Sequence, residues 1–352
     1  MIFGKSYRQI PVISRIFSPK QSAKSESIKG VWIANQPHSQ FLTSAESIQR
    51  GIRKLLEEDV NTIFPVVWTR GYTLYPSQVM TTYGFPEIAS FYQQQNRDPL
   101  AEVIAEAKKY DLKVIPWFEY GFAASHLRHG GHLIEQYPHW QGMDYQGSSL
   151  IHGGLNWMNS FHPEVQQFMQ RLILEVLQRY DVAGFQGCDR LPAAPVQGGY
   201  DDYTLKQYQS EFEQLPPTNY RDIRWLKWRS DLLTEFLADL VQKVKASKPQ
   251  AIVSLSPAVY PFCRDNLLQD TKTWVEQGLG DWIHPQIYRS DFRHYRYEVD
   301  QIKKQFAPQY WRKFAPGIAL KANQKFLSDR DLTKCRQLNR KAGFAGEVIF
   351  HY

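Results

Sequence analysis

Short apolar runs recur along this chain between longer amphipathic stretches, and that alternation restricts the folds open to it more than any other feature. The runs lie at 30–34, 62–68, 112–118, 182–187, 252–255, 282–287, 314–319 and 347–350, and they read as eight strands. Between them, helical patterns are predicted over 44–56, 99–110, 163–180, 266–277, 292–306 and 329–342, with a long one over 203–248 broken at Pro216-Pro217. Thr43-Ser44 supplies cap material for the first, and Asp98 caps the second with Pro99 suited to its first turn. Leu172, Val176 and Tyr180 share one helix face at four-residue intervals. Strands that are uninterrupted apolar runs are buried on both faces, as in parallel sheets. Eight of them alternating with helices predict an α/β fold, specifically a (β/α)8 TIM barrel. A doubly wound open sheet is the competing fold. It would bring a glycine-rich phosphate turn after its first strand, where this chain has Ala34-Asn35-Gln36-Pro37-His38. The chain stops at Tyr352, two residues past the eighth run, so the barrel's eighth helix is expected to be lacking. Its place is then open to the N-terminal segment, to a partner or to a longer reading frame.

Hydrophobic residues make up 43% of the 352, enough for a large core. Residues 1–28 hold Lys5, Arg8, Arg15, Lys20 and Lys24 against Glu26, which accounts for four of the net seven positive charges. That divides the chain into a basic, disordered tail at 1–28 and a folded domain at 29–352. The domain's small excess of charge argues against nucleic acid as a partner. No apolar run approaches the roughly 18 residues a membrane helix needs, so no membrane span is expected. Cys188, Cys263 and Cys335 lie far apart, which argues against a disulfide framework or a zinc knuckle. The apolar stretch at 10–13 is cut off by Ser14-Arg15, so no secretory signal is legible and a cytoplasmic location is expected as the chain stands.

In a barrel, function gathers at the C-terminal ends of the strands. The second strand ends in Trp68-Thr69-Arg70-Gly71-Tyr72, the third in Pro116-Trp117-Phe118-Glu119-Tyr120, the fourth in Gln186-Gly187-Cys188-Asp189-Arg190, and the sixth in Pro285-Gln286-Ile287-Tyr288-Arg289. Carboxylates, amides, arginines and aromatics therefore meet at one rim. Sugars need that mixture, with stacking faces for C–H surfaces and planar polar groups for hydroxyls. Glu119 and Asp189 are the acids directly at strand ends in the first five strands. Two carboxylates can run glycoside hydrolysis, one as acid and one as nucleophile or base. The competing reading is structural: both acids ion-pair with Arg70 or Arg190 and hold the rim together. Trp117, Trp157 and Tyr260 are candidate sugar platforms or core aromatics. Arg70, Asn156, Gln186, Arg190, Gln286 and Tyr288 are candidate polar contacts to a glycan.

Several segments, in order, resemble the bacterial glycosyl-hydrolase-like family 10. They are Lys29-Gly30-Val31-Trp32-Ile33, Asn61-Thr62-Ile63-Phe64-Pro65-Val66-Val67, Tyr75-Pro76-Ser77, Asp98-Pro99-Leu100 and Val114-Ile115-Pro116-Trp117-Phe118-Glu119. The likeness continues through Asn159-Ser160-Phe161-His162-Pro163-Glu164-Val165, Tyr180-Asp181-Val182, Ser254-Leu255-Ser256-Pro257-Ala258, Pro285-Gln286-Ile287-Tyr288 and Gly346-Glu347-Val348-Ile349-Phe350. The resemblance covers about residues 29–352. It implies a TIM-barrel glycosidase-like domain acting on a polysaccharide or cell-wall glycan, and some relatives cleave peptidoglycan strands stripped of peptides. Relatives working on cell walls are exported. The family's fourth strand usually reads Asp-Gly-Ile-Gln-x-Asp-Asp. Here it is Ala183-Gly184-Phe185-Gln186-Gly187-Cys188-Asp189, so two of three expected acids are replaced. Resemblance to α-amylase-type barrels would put a nucleophile at position 188. A thiol does not offer the same charge to an oxocarbenium-like transition state unless ionised. Two expectations follow: a glycoside hydrolase using Glu119 as general acid/base and Asp189 as nucleophile, base or stabiliser, or a glycan-binding pseudoenzyme impaired at Cys188.

Six of the ten histidines fall between 126 and 162. The glycines among them favour a rim loop over a metal site, so no metal and no cofactor are expected. A polysaccharide deacetylase would need such a metal centre. His162 is expected to pack or to cap a helix. No GxSxG, HExxH or P-loop pattern is present in the sequence.

Overall fold

A computed structural model describes residues 27–350 apart from 36–38, 128 and 323. The expected basic tail lies outside the described residues except at its last two positions. Nine parallel strand segments form the centre. They are β1 (Ile28–Ile33), β2 (Thr62–Pro65), β3 (Lys113–Val114), β4 (Gly184–Cys188), β5 (Ile252–Ser256), β6 (Trp282–Ile283), β7 (Gln286–Ile287), β8 (Gly317–Ala319) and β9 (Gly346–Phe350). Six make one sheet in the order β7-β8-β9-β1-β2-β3, and three make another in the order β6-β5-β4. Backbone hydrogen bonds run on past both sheet edges. On one side Ala183 N–H donates to Val114 O (2.8 Å), Gln186 N–H to Pro116 O (2.8 Å) and Phe118 N–H to Gln186 O (3.0 Å). On the other, Ala315 N–H donates to Ile283 O and Gly317 N–H to Pro285 O, both at 2.9 Å.

Prolines explain why these strands are shorter than the apolar runs. Proline cannot donate to a ladder, and Pro65, Pro116, Pro285 and Pro316 each sit inside a run. Regular strand stops beside them, yet the neighbouring residues keep pairing: Ile115 N–H reaches Ile63 O at 3.0 Å and Trp117 N–H reaches Pro65 O at 2.8 Å. The predicted run 282–287 is thereby split into β6 and β7. The run 62–68 ends in a separate hairpin, because Trp68–Thr69 pairs antiparallel with Tyr72–Thr73.

Seven longer helices flank the strands: α1 (Ala45–Glu57), α2 (Pro99–Lys108), α3 (Pro163–Arg179), α4 (Asp202–Phe212), α5 (Ile223–Ser247), α6 (Phe292–Gln305) and α7 (Asp329–Ala342). Ser44 and Asp98 are the N-caps of α1 and α2, and the His162 ring accepts from Glu164 N–H as the cap of α3. The predicted long helix is two, α4 and α5, separated by the segment holding Pro216-Pro217. The 266–277 stretch is likewise two short helices, Phe262–Leu267 and Thr271–Glu276. Sequence periodicity also missed a small antiparallel sheet of Ala123–Ser125, Leu155–Trp157 and Ile151–His152 after the third strand. Its strands are too short to show a pattern.

One apolar cluster runs from Ile28 to Ile349 and joins the strands to the helices packed on them. Through its middle passes a polar chain. His284 is fully buried, and its Nδ1 lies 2.7 Å from Ala315 O, so Nδ1 carries the hydrogen. Burial pushes the imidazole pKa down to about 4, so the ring is neutral and Nε2 accepts from Ser254 Oγ at 2.9 Å. Ser254 Oγ then accepts from the Gln186 amide (2.9 Å), whose oxygen accepts from the Trp32 indole N–H. Four buried polar groups are satisfied in one direction across four chain segments, which favours one strand register. Among the described residues, no helix is long and apolar enough to cross a membrane.

Candidate active site

Glu119 lies two positions after Trp117, which bridges Val66, just past β2, to Gln186 of β4. Its side chain is 8% exposed, and Oε2 accepts a 3.0 Å hydrogen bond from Thr69 Oγ1. Thr69 comes from the Trp68–Thr69/Tyr72–Thr73 hairpin. Arg70 (φ 53°) and Gly71 (φ 81°) form its two-residue tip, both in the left-handed region that such a turn demands. Arg70 is exposed at the tip, close enough for its charge to act on Glu119. Burial raises the Glu119 pKa above the ordinary glutamate value, opposed by Arg190, the Thr69 hydrogen bond and Arg70. The negative charge of Asp189 adds to the rise.

Asp189 follows β4 and is 26% exposed, with Arg190 Nη1 3.7 Å away. Arg190 does not ion-pair with the Glu119 carboxylate. Its Nε donates to the Glu119 backbone carbonyl at 2.7 Å, and its guanidinium lies over the Tyr120 ring at 5.4 Å. The expected rim ion pairing therefore holds loosely for Asp189, while Glu119 is held by a neutral hydroxyl.

Cys188 is buried while its neighbour Asp189 is partly exposed, in line with the alternation of neighbours along a strand. It is 1% exposed, and Sγ lies 2.9 Å from Glu119 O and 3.3 Å from Phe118 O, while Arg190 N–H reaches Sγ at 3.2 Å. Burial pushes its thiol pKa well up, so it is a neutral donor to carbonyl oxygens. Glycine at 121 permits this arrangement. It sits at φ 49°, and a Cβ there would stand 2.1 Å from Arg190 O.

The remaining sequence candidates divide. Tyr288 is half-buried; burial is the main cause that raises its hydroxyl's pKa, and Asp189 and Glu119 lie close enough to add to the rise while Arg190 opposes it. Its ring stacks on Phe350 (5.3 Å, 11°), and Phe350 meets Trp117 and Trp32, so these rings form one aromatic cluster. Trp117 is buried there, and its indole N–H has no hydrogen-bond partner among the described residues. Gln186 is fully buried, with both ends of its amide used inside the polar chain. Asn156 and Trp157 lie buried in the small antiparallel sheet, with Trp157 Nε1 donating to His152 O at 3.2 Å. Tyr260 and Gln286 line a separate cleft. Gln286 donates to Ser256 O (2.8 Å), and the Tyr260 hydroxyl accepts from Arg264 (2.9 Å). Sequence reasoning missed Thr69 and Tyr120, which lie within quoted strand ends but carry no charge. It also gave His152 no role of its own; burial lowers the pKa of that imidazole, and the charge of Asp189 acts on it in the opposite sense. Among the described residues, no group of three His, Cys, Asp or Glu is placed to hold a metal ion.

The chain has relatives. It is 24% identical over 300 residues to glycosyl hydrolase DigH of Escherichia coli K12, covering 75% of this chain and 66% of that protein. It is 25% identical over 324 residues to glycosyl hydrolase YngK of Bacillus subtilis, covering 82% of this chain and 58% of that one. Among solved structures, the PgaB (BpsB) glycoside hydrolase domain of Bordetella bronchiseptica superposes with a TM-score of 0.64 at 12% identity. That match covers 93% of this chain and 94% of the domain, and it is a likeness of fold. The profile of the family described as glycosyl hydrolase-like 10 matches residues 27–315, and the chain belongs to that family.

Proposed function

We propose that this chain is a glycoside hydrolase in which Glu119 protonates the leaving-group oxygen and Asp189 acts as nucleophile, base or charge stabiliser. We read the two parallel sheets as one closed (β/α)8 barrel, supported by the hydrogen bonds that continue past both sheet edges. Its substrate is a polysaccharide or cell-wall glycan, consistent with the names of the relatives and with the aromatic cluster that includes Tyr288.

The observation that carries the reading is the contrast between the two carboxyls. Glu119 is buried, faces a neutral hydroxyl and has a raised pKa. Asp189 is more exposed and sits beside a cation. Two carboxyls in unlike environments can take unlike roles, one as acid and one as base. A carboxyl whose pKa is raised by burial is suited to give its proton to a glycosidic oxygen. Tyr288 and Trp117 border the sugar, and Arg190 fixes the Glu119 backbone.

The test is release of reducing ends from cell-wall glycan strands and neutral polysaccharides. Glu119→Gln and Asp189→Asn are each expected to lower turnover by roughly 10²–10⁴-fold. Glycan capture without cleavage is the second reading, favoured by the neutral thiol at the position where the family's pattern carries an acid. Binding with no release of reducing ends, unchanged by Glu119→Gln, would establish it.

A further inference from the structure

A cleft of about 440 Å³ opens between the segment that follows β5 and one face of α6. None of its walls belongs to Glu119, Asp189, Arg190 or Tyr288. One of its walls, Gln286, lies two positions before Tyr288 in the chain. From there it follows Tyr297, Gln301 and Gln305, which share the α6 face through spacings of four residues.

The chemistry of the walls is specific. Phe262 is 53% exposed and Tyr297 is 60% exposed, on opposite sides of the cleft, so two large rings are offered to solvent. Gln301 lines the cleft with its amide, and the buried Oε1 of Gln305 has no hydrogen-bond partner among the described residues. An unsatisfied buried acceptor is costly and marks a place where a donor is wanted. The charged groups in the cleft, Arg289 and Glu298, neutralise each other at 2.6 Å. An anionic ligand would have to break that pair, and a cationic one likewise. What remains is stacking faces, planar amides and a neutral pair that can still accept and donate to hydroxyls. The volume falls in the range of sites for small ligands.

We propose that this cleft is a second carbohydrate subsite that holds one or two neutral sugar units of a glycan chain, apart from the carboxyl pair. The idea rests on the reading of the chain as a glycan-acting protein but not on cleavage, since a pseudoenzyme could use the same cleft. Phe262 and Tyr297 clasp the C–H faces of the sugar, and Gln301 and Gln305 receive its hydroxyls. A chain held there runs past Gln286, two positions before Tyr288.

The experiment is calorimetric titration of the full chain carrying Glu119→Gln, which keeps the ligand intact. The probes are cellohexaose, maltohexaose and chitohexaose, with an acidic galacturonate hexamer as the charged comparison. At least one neutral hexasaccharide is expected to bind, more tightly than the galacturonate hexamer. Tyr297→Ala and Phe262→Ala should each weaken that binding about tenfold. Both are exposed surface positions, so circular dichroism and melting temperature should stay unchanged and show that the variants fold. Gln301→Leu, which keeps the volume and removes the amide, should weaken binding by about fivefold. Binding of a neutral hexasaccharide that is indifferent to all three substitutions overturns the proposal. So does absence of binding by every neutral probe, or tighter binding of the acidic hexamer. Reducing-end release by the native chain is read separately, so loss of this subsite and loss of the hydrolase reading give different results.

Discussion

At the scale of single residues, the site turns on how a carboxyl and a thiol are buried. Glu119 is buried with a hydroxyl donor, and Cys188 is buried against two carbonyl oxygens. A carboxyl at 188 would face those same oxygens at 2.9–3.3 Å, tolerable when protonated and repulsive when ionised. Cys188→Asp is therefore expected to carry a raised folded-state pKa. A carboxyl whose folded pKa lies above its unfolded value loses stability as pH rises between the two. The variant should melt close to the native chain at pH 4 and be about 1–3 kcal/mol less stable at pH 8, measured by thermal or urea unfolding at both pH values. Equal stability loss at both would show that the position does not penalise charge. The two acids and Cys188 were legible in the sequence because they stand at strand ends. Thr69 as the partner of Glu119 was not, since a hydrogen bond across 50 positions leaves no trace in local pattern.

At the scale of elements, the strand ends bearing the acids are brought together by close backbone contact. Gly121 lies at φ 49°, and Phe122 N–H donates to Arg190 O at 2.9 Å. A methyl group at 121 would collide with that carbonyl and strain the backbone. Gly121→Ala should cost about 2 kcal/mol and lower turnover as well, because it moves Arg190 and with it the Glu119 backbone. Unchanged melting and activity would contradict this account of the contact. Element identity was largely readable: the eight apolar runs and the caps at Ser44, Asp98 and His162 all correspond to structure. The ends were read less well, because Pro65, Pro116, Pro285 and Pro316 interrupt regular strand without interrupting apolar character. The three-strand antiparallel sheet at 123–157 is defined by pairing, not periodicity, and so was invisible.

At the scale of the whole molecule, the long segment after Asp189 is fastened to the outer helices by buried polar groups. Arg229 is fully buried on α5 and donates to the carbonyls of Val196 (2.6 Å), Gly198 (2.5 Å) and Tyr220 (2.7 Å). Gln269 donates to Cys188 O (3.0 Å) and Pro192 O (2.9 Å), tying the same segment from another side. Lysine cannot span three carbonyls with one compact ammonium. Arg229→Lys should lower stability by roughly 3 kcal/mol, and a chemical-denaturation midpoint that does not move would refute that role. None of this was legible beforehand, since an arginine in a helix reads as a solvated face until the loops that cover it are known. The family resemblance anticipated the α/β architecture, while the burial of Gln186, Asn156 and Trp157 emerged only with the packing.

The central claim is that Glu119 delivers a proton to a departing sugar oxygen. It is tested most directly by comparing native chain and Glu119→Gln on two substrates of one glycan, an unactivated oligosaccharide and its dinitrophenyl glycoside, across pH. The second needs no proton to leave. The account predicts a loss of roughly 10²–10⁴-fold on the oligosaccharide and a much smaller loss on the dinitrophenyl glycoside. The native rate on the oligosaccharide should fall on the alkaline side at a pH above the ordinary glutamate pKa, as burial of Glu119 requires. Equal losses on both substrates, or an unchanged oligosaccharide rate in the variant, would contradict it.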